Sequence, residues 1–302
     1  SYHSSDLAPY VIKTQHSAGT TWNDIILAGR LCRSIAPAKR RIMSETIFLI
    51  HGMWGGPWYW ENYKRVFEQQ GYRCIAATLP FHDMAPDDAP DPRLGTCSLL
   101  DYAAALEQEI RRIGLKPIVV GHSMGGLLAQ ILGSRGLAKA LVLLSPSSPA
   151  GIMGLRFSVM KSFWSAQTKW GFWRKPMRQT FDEATYSMLH LCPVKEQKEI
   201  FSRFVYESGR AAFETGYWPF DRHGASRVDE SKVTCPILVI AGAEDRITPA
   251  SVVRRVAKKY RTVATYREFD NHAHWVVAEP GWQDIAEFVT AWIKQVVPAG
   301  SN

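Results

Sequence analysis

Long hydrophobic runs are missing from this 302-residue chain. No apolar stretch reaches the ~18 residues that a membrane-spanning helix needs. The longest, Ala140–Leu144 and Pro236–Ala241, have the length of buried strands. Cysteine is scarce: five residues (Cys32, Cys74, Cys97, Cys192 and Cys235), odd in number, scattered, and without a Cys-x-x-Cys pair. That pattern argues against a zinc site or a disulfide framework, and reduced, packed thiols imply a cytoplasmic protein. Sequons of the N-x-Ser/Thr type, internal repeats and low-complexity tracts are also lacking. The net charge is +8, and the densest basic run is Arg254, Arg255, Lys258, Lys259 and Arg261. It falls in a helical pattern with no nucleic-acid motif beside it, so a solvated helix face is expected rather than a nucleic-acid partner.

What remains is an ordinary globular balance at a length suited to one large domain or one domain with an insertion. The most informative stretch runs from Pro117 to Gly126. Ile118, Val119 and Val120 make a short buried-strand signal. After Ser123 the apolar period changes to helical spacing, with Leu127, Leu128, Ile131 and Leu132. Strand, sharp turn and helix with serine at the apex, in Gly121-x-Ser123-x-Gly125, is a nucleophile elbow. Glycine is needed on both sides because a Cβ there would strike the neighbouring strand or helix. Alone the pattern is weak, since Gly-x-Ser-x-Gly arises by accident in roughly one of ten chains this long. Its company decides the matter.

Strand and helix signals alternate around the elbow. Ile47–Ile50 reads as a buried strand followed by the glycine-rich His51-Gly52-Met53-Trp54-Gly55-Gly56; Pro57 to Gln70 reads as a helix stopped by Gly71. Arg73 to Ala77 is the next strand, and Ser98 with Asp101 caps a helix to Ile113. Ala140–Leu144, Pro236–Ile240 and Val263–Phe269 are further strands, with helices from Pro249 to Tyr260 and from Trp282 to Val296. Such alternation predicts a mostly parallel, doubly wound α/β sheet. The alternation breaks in residues 148–232, which are aromatic-heavy with helical pieces and no clear strand. A helical cap inserted late in the sheet is expected there, with the core formed by 45–147 and 233–297. Residues 1–44 are the least legible, although Thr21 and Asp24 could cap a helix.

Four motifs in this order carry a resemblance: His51-Gly52, the Gly121–Gly125 elbow, Gly242-x-x-Asp245, and His274-Trp275. Over about residues 45–297 the chain resembles the α/β-hydrolases of the serine esterase and lipase type. The resemblance implies Ser123 as nucleophile, His274 as its base and then acid, and Asp245 as the carboxylate that orients the imidazole. It implies backbone donors for an oxyanion at Met53 and Met124. Glu244 and His272 are the rivals of Asp245 and His274. His51 and His122 are expected to pack beneath the site. The family usually begins with two antiparallel strands ahead of Ile47, which residues 1–44 do not clearly supply.

Trp54, His122, Trp164 and Trp173 are the candidate substrate contacts, and Trp58 and Trp60 offer aromatic surface nearby. A serine at the elbow implies cleavage of a carboxylic ester, thioester or lactone. The same triad could instead serve C–C bond hydrolysis or a cofactor-free lyase, and a non-catalytic ligand-binding protein is a third reading. The aromatic cap favours a hydrophobic, aromatic or lipid-like substrate. No metal or organic cofactor is implied. Between Arg156 and Arg178 stand six basic residues and no acid, with Trp164, Trp170 and Trp173 interleaved. That segment could contact an anionic lipid surface or attract a charged substrate.

Overall fold

The computed structural model describes residues 45–154 and 156–298. The helix expected after Thr21 and the antiparallel strands of the family's leading edge fall outside these residues.

Six strands form one parallel sheet: β1 (Thr46–Ile50), β2 (Arg73–Ala76), β3 (Ile118–His122), β4 (Ala140–Leu144), β7 (Ile237–Gly242) and β8 (Ala264–Phe269), in the order β2-β1-β3-β4-β7-β8. β1, β3, β4 and β7 are buried along their whole length, whereas β8 at one edge is only partly covered. Central strands covered on both faces are apolar without interruption, which is why they read so plainly in the sequence. Covering them are α1 (Glu61–Gln69), α2 (Leu99–Ile113), α3 (Met124–Ser134), α9 (Ala250–Lys259) and α10 (Trp282–Val296). Local chemistry fixes their ends. Ser98 and Asp101 form the expected capping box on α2, and Gly114 closes that helix at φ 79°. The left-handed backbone there suits a residue without a Cβ.

Between β4 and β7 the chain forms α4 (Phe157–Ser162), α5 (Trp164–Gln167), α6 (Phe181–Ala184), α7 (Val194–Ser202) and α8 (Gly209–Gly216). It also forms two short strands, β5 (Pro176–Met177) and β6 (Glu207–Ser208), paired antiparallel. The expectation of helices alone is corrected here. Two-residue strands carry no alternation long enough to leave a signal.

A buried polar cluster ties this segment to α2 and the loop after β2. Glu207 accepts from Tyr102 hydroxyl at 2.7 Å and from Ser208 N–H at 2.6 Å, and its other oxygen lies 3.1 Å from His82 Nε2. The second nitrogen of His82 donates to Pro80 carbonyl at 3.0 Å. Burial alone would depress the imidazole's pKa, but the facing carboxylate overrides it and holds His82 above the ordinary value. A charge without exposure survives only with such partners. All four described cysteines are free, and burial pushes the Cys74, Cys97 and Cys192 thiols up to about 12. Among the described residues, no helix is long and apolar enough to cross a membrane.

Candidate active site

The carboxyl end of the sheet is where the backbone is strained. Non-glycine residues adopt positive φ at Trp54 after β1, Ser123 after β3, Ser145 after β4 and Asn271 after β8. Such conformations cost on the order of 1–3 kcal/mol each and cluster where a side chain must be aimed. Ser123 sits at φ 54°, ψ −120°, the residue before α3 begins. The glycines around it leave no room for a side chain. A Cβ on Gly121 would overlap the Gly125 carbonyl, and one on Gly125 would overlap the Ile50 carbonyl. The elbow therefore needs glycine for close approach of three backbone segments.

Asp245 and His274 meet from separate loops, after β7 and after β8. The imidazole Nδ1 lies 2.8 Å from Asp245 Oδ2, with Thr248 Oγ1 3.3 Å away. Asp245 is fully engaged. Its Oδ1 accepts from the Ile247 and Thr248 amides, each at 2.8 Å, and Oδ2 accepts from Thr248 hydroxyl at 2.8 Å. The carboxylate thus caps its own turn and also holds the imidazole. Burial alone would raise its pKa; His274 and the Thr248 donors outweigh that and keep it below the ordinary value. An ionised Asp245 accepts a hydrogen bond from Nδ1–H, which turns the His274 Nε2 lone pair away from the carboxylate.

The rivals are placed elsewhere. Glu244 is exposed. His272 Nδ1 donates to the buried Glu279 at 3.0 Å, and the same carboxylate oxygen accepts the Ala273 amide at 2.9 Å. That pair braces the loop from which His274 projects. Among the described residues, no group of three or more His, Cys, Asp or Glu side chains is arranged to hold a metal ion.

His51 and His122 support the site from beneath. His51 Nδ1 donates to Gly52 carbonyl at 2.8 Å and Nε2 accepts from Leu79 N–H at 3.3 Å. His122 Nε2 donates to the His274 carbonyl at 2.8 Å. Burial, reinforced for His51 by His82 and for His122 by His274, pushes both pKa values down to about 3. Each is a neutral, single-tautomer brace. Met53 lies in the glycine-rich loop after β1 and Met124 opens α3 as its first residue, where a helix amide has no intrahelical acceptor.

Ser123 and His274 open into one cavity, roughly 930 Å³ of empty space with its mouth included. Met53, Trp54 and His122 share that wall. The opposite wall comes from the segment between β4 and β7, through Val159, Phe163, Met177, Met188 and Tyr217. Trp164 and Trp173 are corrected here. Trp164 is 61% exposed on the outer side of α5, and Trp173 lies against Trp170 and Phe172 outside the cavity. Of the other tryptophans, Trp60 is buried against Tyr63 and Trp58 lies under the Arg203 guanidinium.

Residues 47–288 match the model of the alpha/beta hydrolase family. The chain belongs to that family. Solved structures agree in fold at low identity. A methylesterase from Arabidopsis superposes with a TM-score of 0.61 at 13% identity, covering 82% of this chain and 98% of its own. A monoacylglycerol lipase from Paleococcus ferrophilus gives 0.61 at 18%, covering 83% and 94%. An extracellular alpha/beta-hydrolase from a Paenibacillus species gives 0.64 at 16%, covering 85% and 100%. No curated relative matches the sequence.

In this α/β-hydrolase, sequence reasoning found the elbow and its partners but not most of the cavity wall. Thr248, which contacts both Asp245 and His274, belongs to none of the four motifs. Ser147, Ser148 and Thr215, among the polar spots on a mostly apolar lining, carry no motif that would single them out.

Proposed function

We propose that this protein is a serine hydrolase that cleaves a carboxylic ester of an uncharged, hydrophobic acyl or aromatic group. One observation carries the reading: a strained serine shares an apolar cavity with an imidazole that is buttressed by an ionised, fully buried carboxylate. His274 takes the Ser123 proton as the oxygen attacks the ester carbon. The resulting oxyanion is held by the Met53 and Met124 amides, the family's donor positions, each worth roughly 10²–10³ in rate. His274 then returns the proton to the leaving alcohol, and water repeats the sequence on the acyl-enzyme.

Residues 148–232 act in this reading as a cap that shapes the acyl site. Support comes from Val159, Phe163, Met177 and Met188 facing the serine across the cavity. Among the described residues, no Asp, Glu, Lys or Arg side chain lines that cavity, so a charged acyl group would be desolvated there without a partner from them. Turnover of p-nitrophenyl esters of increasing acyl length tests the proposal. kcat/KM should rise with apolar length and then fall once the cavity is filled, and a terminal carboxylate should abolish turnover. Absence of any ester turnover while Ser123 still reacts covalently would favour C–C cleavage or elimination on the same triad.

A further inference from the structure

The segment that walls the cavity has a second face. Along α4 and α5, Val159, Phe163, Ala166 and Gln167 point into the cavity. One helical stripe away, Phe157, Met160 and Trp164 are 82%, 43% and 61% exposed, and Trp170 in the turn beyond is 87% exposed. Soluble proteins scatter single apolar residues over their surface, but four large exposed ones within fourteen positions are a local concentration beyond that scatter.

Its surroundings are basic. Arg156, Lys161, Lys169, Arg174 and Lys175 are all exposed, and no acidic residue occurs from 156 to 178. The Lys161 ammonium lies over the Tyr186 ring at 3.9 Å, and Lys175 Nζ donates to the Trp170 carbonyl at 3.4 Å. Glu183, which α6 packs against this segment, is turned onto the Ser165 amide and hydroxyl rather than toward the basic rim. Exposed Trp and Phe in the centre with cationic side chains at the rim match a negatively charged interface whose interior is apolar.

We propose that the outer face of α4 and α5, with the Trp170 turn, docks on an anionic lipid surface. Phe157, Trp164 and Trp170 enter the headgroup–acyl boundary while the basic rim meets lipid phosphates and carboxylates. Resting on the ester-hydrolase reading, docking would set the inner face of the same two helices, and the cavity behind it, next to an ester dissolved in that surface. The neutral lining suits such a substrate, and the cationic rim recruits the membrane rather than the scissile molecule.

Vesicle flotation of the Ser123→Ala protein tests this without any need for catalysis. Phosphatidylcholine vesicles containing about 30% phosphatidylserine should carry the protein at low salt, and pure phosphatidylcholine should carry much less. Phe157→Ser/Trp170→Ser should lower the partition coefficient on the order of tenfold, as should Lys169→Glu/Arg174→Glu. Both doubles should leave hydrolysis of a water-soluble short ester by the otherwise wild-type enzyme unchanged, which shows that they fold. Absence of flotation with anionic vesicles, or equal binding to both compositions insensitive to salt, would overturn the proposal. So would a dimer that Phe157→Ser/Trp170→Ser converts to monomer, because the patch would then be a self-interface. Binding without ester turnover would leave the docking surface standing and overturn only the catalytic reading.

Discussion

Acid should weaken this protein before most of its carboxylates titrate. His51 and His122 are wholly buried, and each has its pKa pushed from 6.5 to about 3. In the unfolded chain both take up a proton near the ordinary value, while in the folded state both stay neutral. The unfolded state therefore binds more protons throughout that window, and stability falls as pH falls from 6.5. Each group contributes about 1.4 kcal/mol per pH unit. Two groups give a slope of about 2.7 kcal/mol per unit, or on the order of 5 kcal/mol between about pH 6.5 and 4.5. That is comparable with the whole stability of a typical domain, about 5–15 kcal/mol.

His190, lowered chiefly by burial, adds to the slope, and the remaining groups leave it largely intact. His82 is raised, so its contribution is fully present below 6.5 and is lost only as pH rises through its folded value. Asp245 is lowered, so its contribution is lost only as pH falls below the ordinary 3.8. Glu279, raised by burial, binds its proton early in the folded state and offsets part of the loss near the acid end. Urea unfolding followed by tryptophan fluorescence at several pH values measures the slope. His122→Asn should reduce it by about 1.4 kcal/mol per unit, whatever its effect on absolute stability. A stability that stays constant from neutrality to about pH 4.5, or a slope unmoved by that substitution, would refute the reasoning.

Ser123→Ala should lower kcat on the order of 10⁶-fold, read in steady-state ester turnover, with the melting curve little changed. Asp245→Asn should lower kcat about 10⁴-fold by leaving His274 in the wrong tautomer, whereas Glu244→Gln should leave it unaltered. The reverse pattern would move the acid to Glu244. Gly125→Ala forces a methyl against the Ile50 and His51 carbonyls, so chemical denaturation should show a loss of about 3 kcal/mol or more.

The parts of the fold that were legible in the sequence are those in which one local rule dominates. Ile47–Ile50, Ile118–Val120 and Ala140–Leu144 are buried on both faces, so composition alone betrays them. Ser98 with Asp101, and Gly114 after α2, mark helix ends by hydrogen bonding and backbone freedom that belong to those residues themselves. The elbow was readable because three backbone segments meet there and only glycine fits. Long-range partnership left no such trace. The Glu207–His82–Tyr102 cluster joins residues over a hundred positions apart. Trp164 and Trp173 looked like pocket residues because aromatic content says that something will be covered, but not which face of a short helix turns inward. A break at Phe163, between α4 and α5, shifts the stripe and leaves Trp164 outside.

The central claim is that Ser123 forms a covalent bond to the acyl group it cleaves, and a fluorophosphonate probe followed by peptide mass spectrometry tests it most directly. One adduct is expected, on the peptide that holds Ser123, formed far more slowly in Asp245→Asn and lost in Ser123→Ala. Active ester turnover with no adduct at Ser123, or with the adduct on another serine, would contradict it.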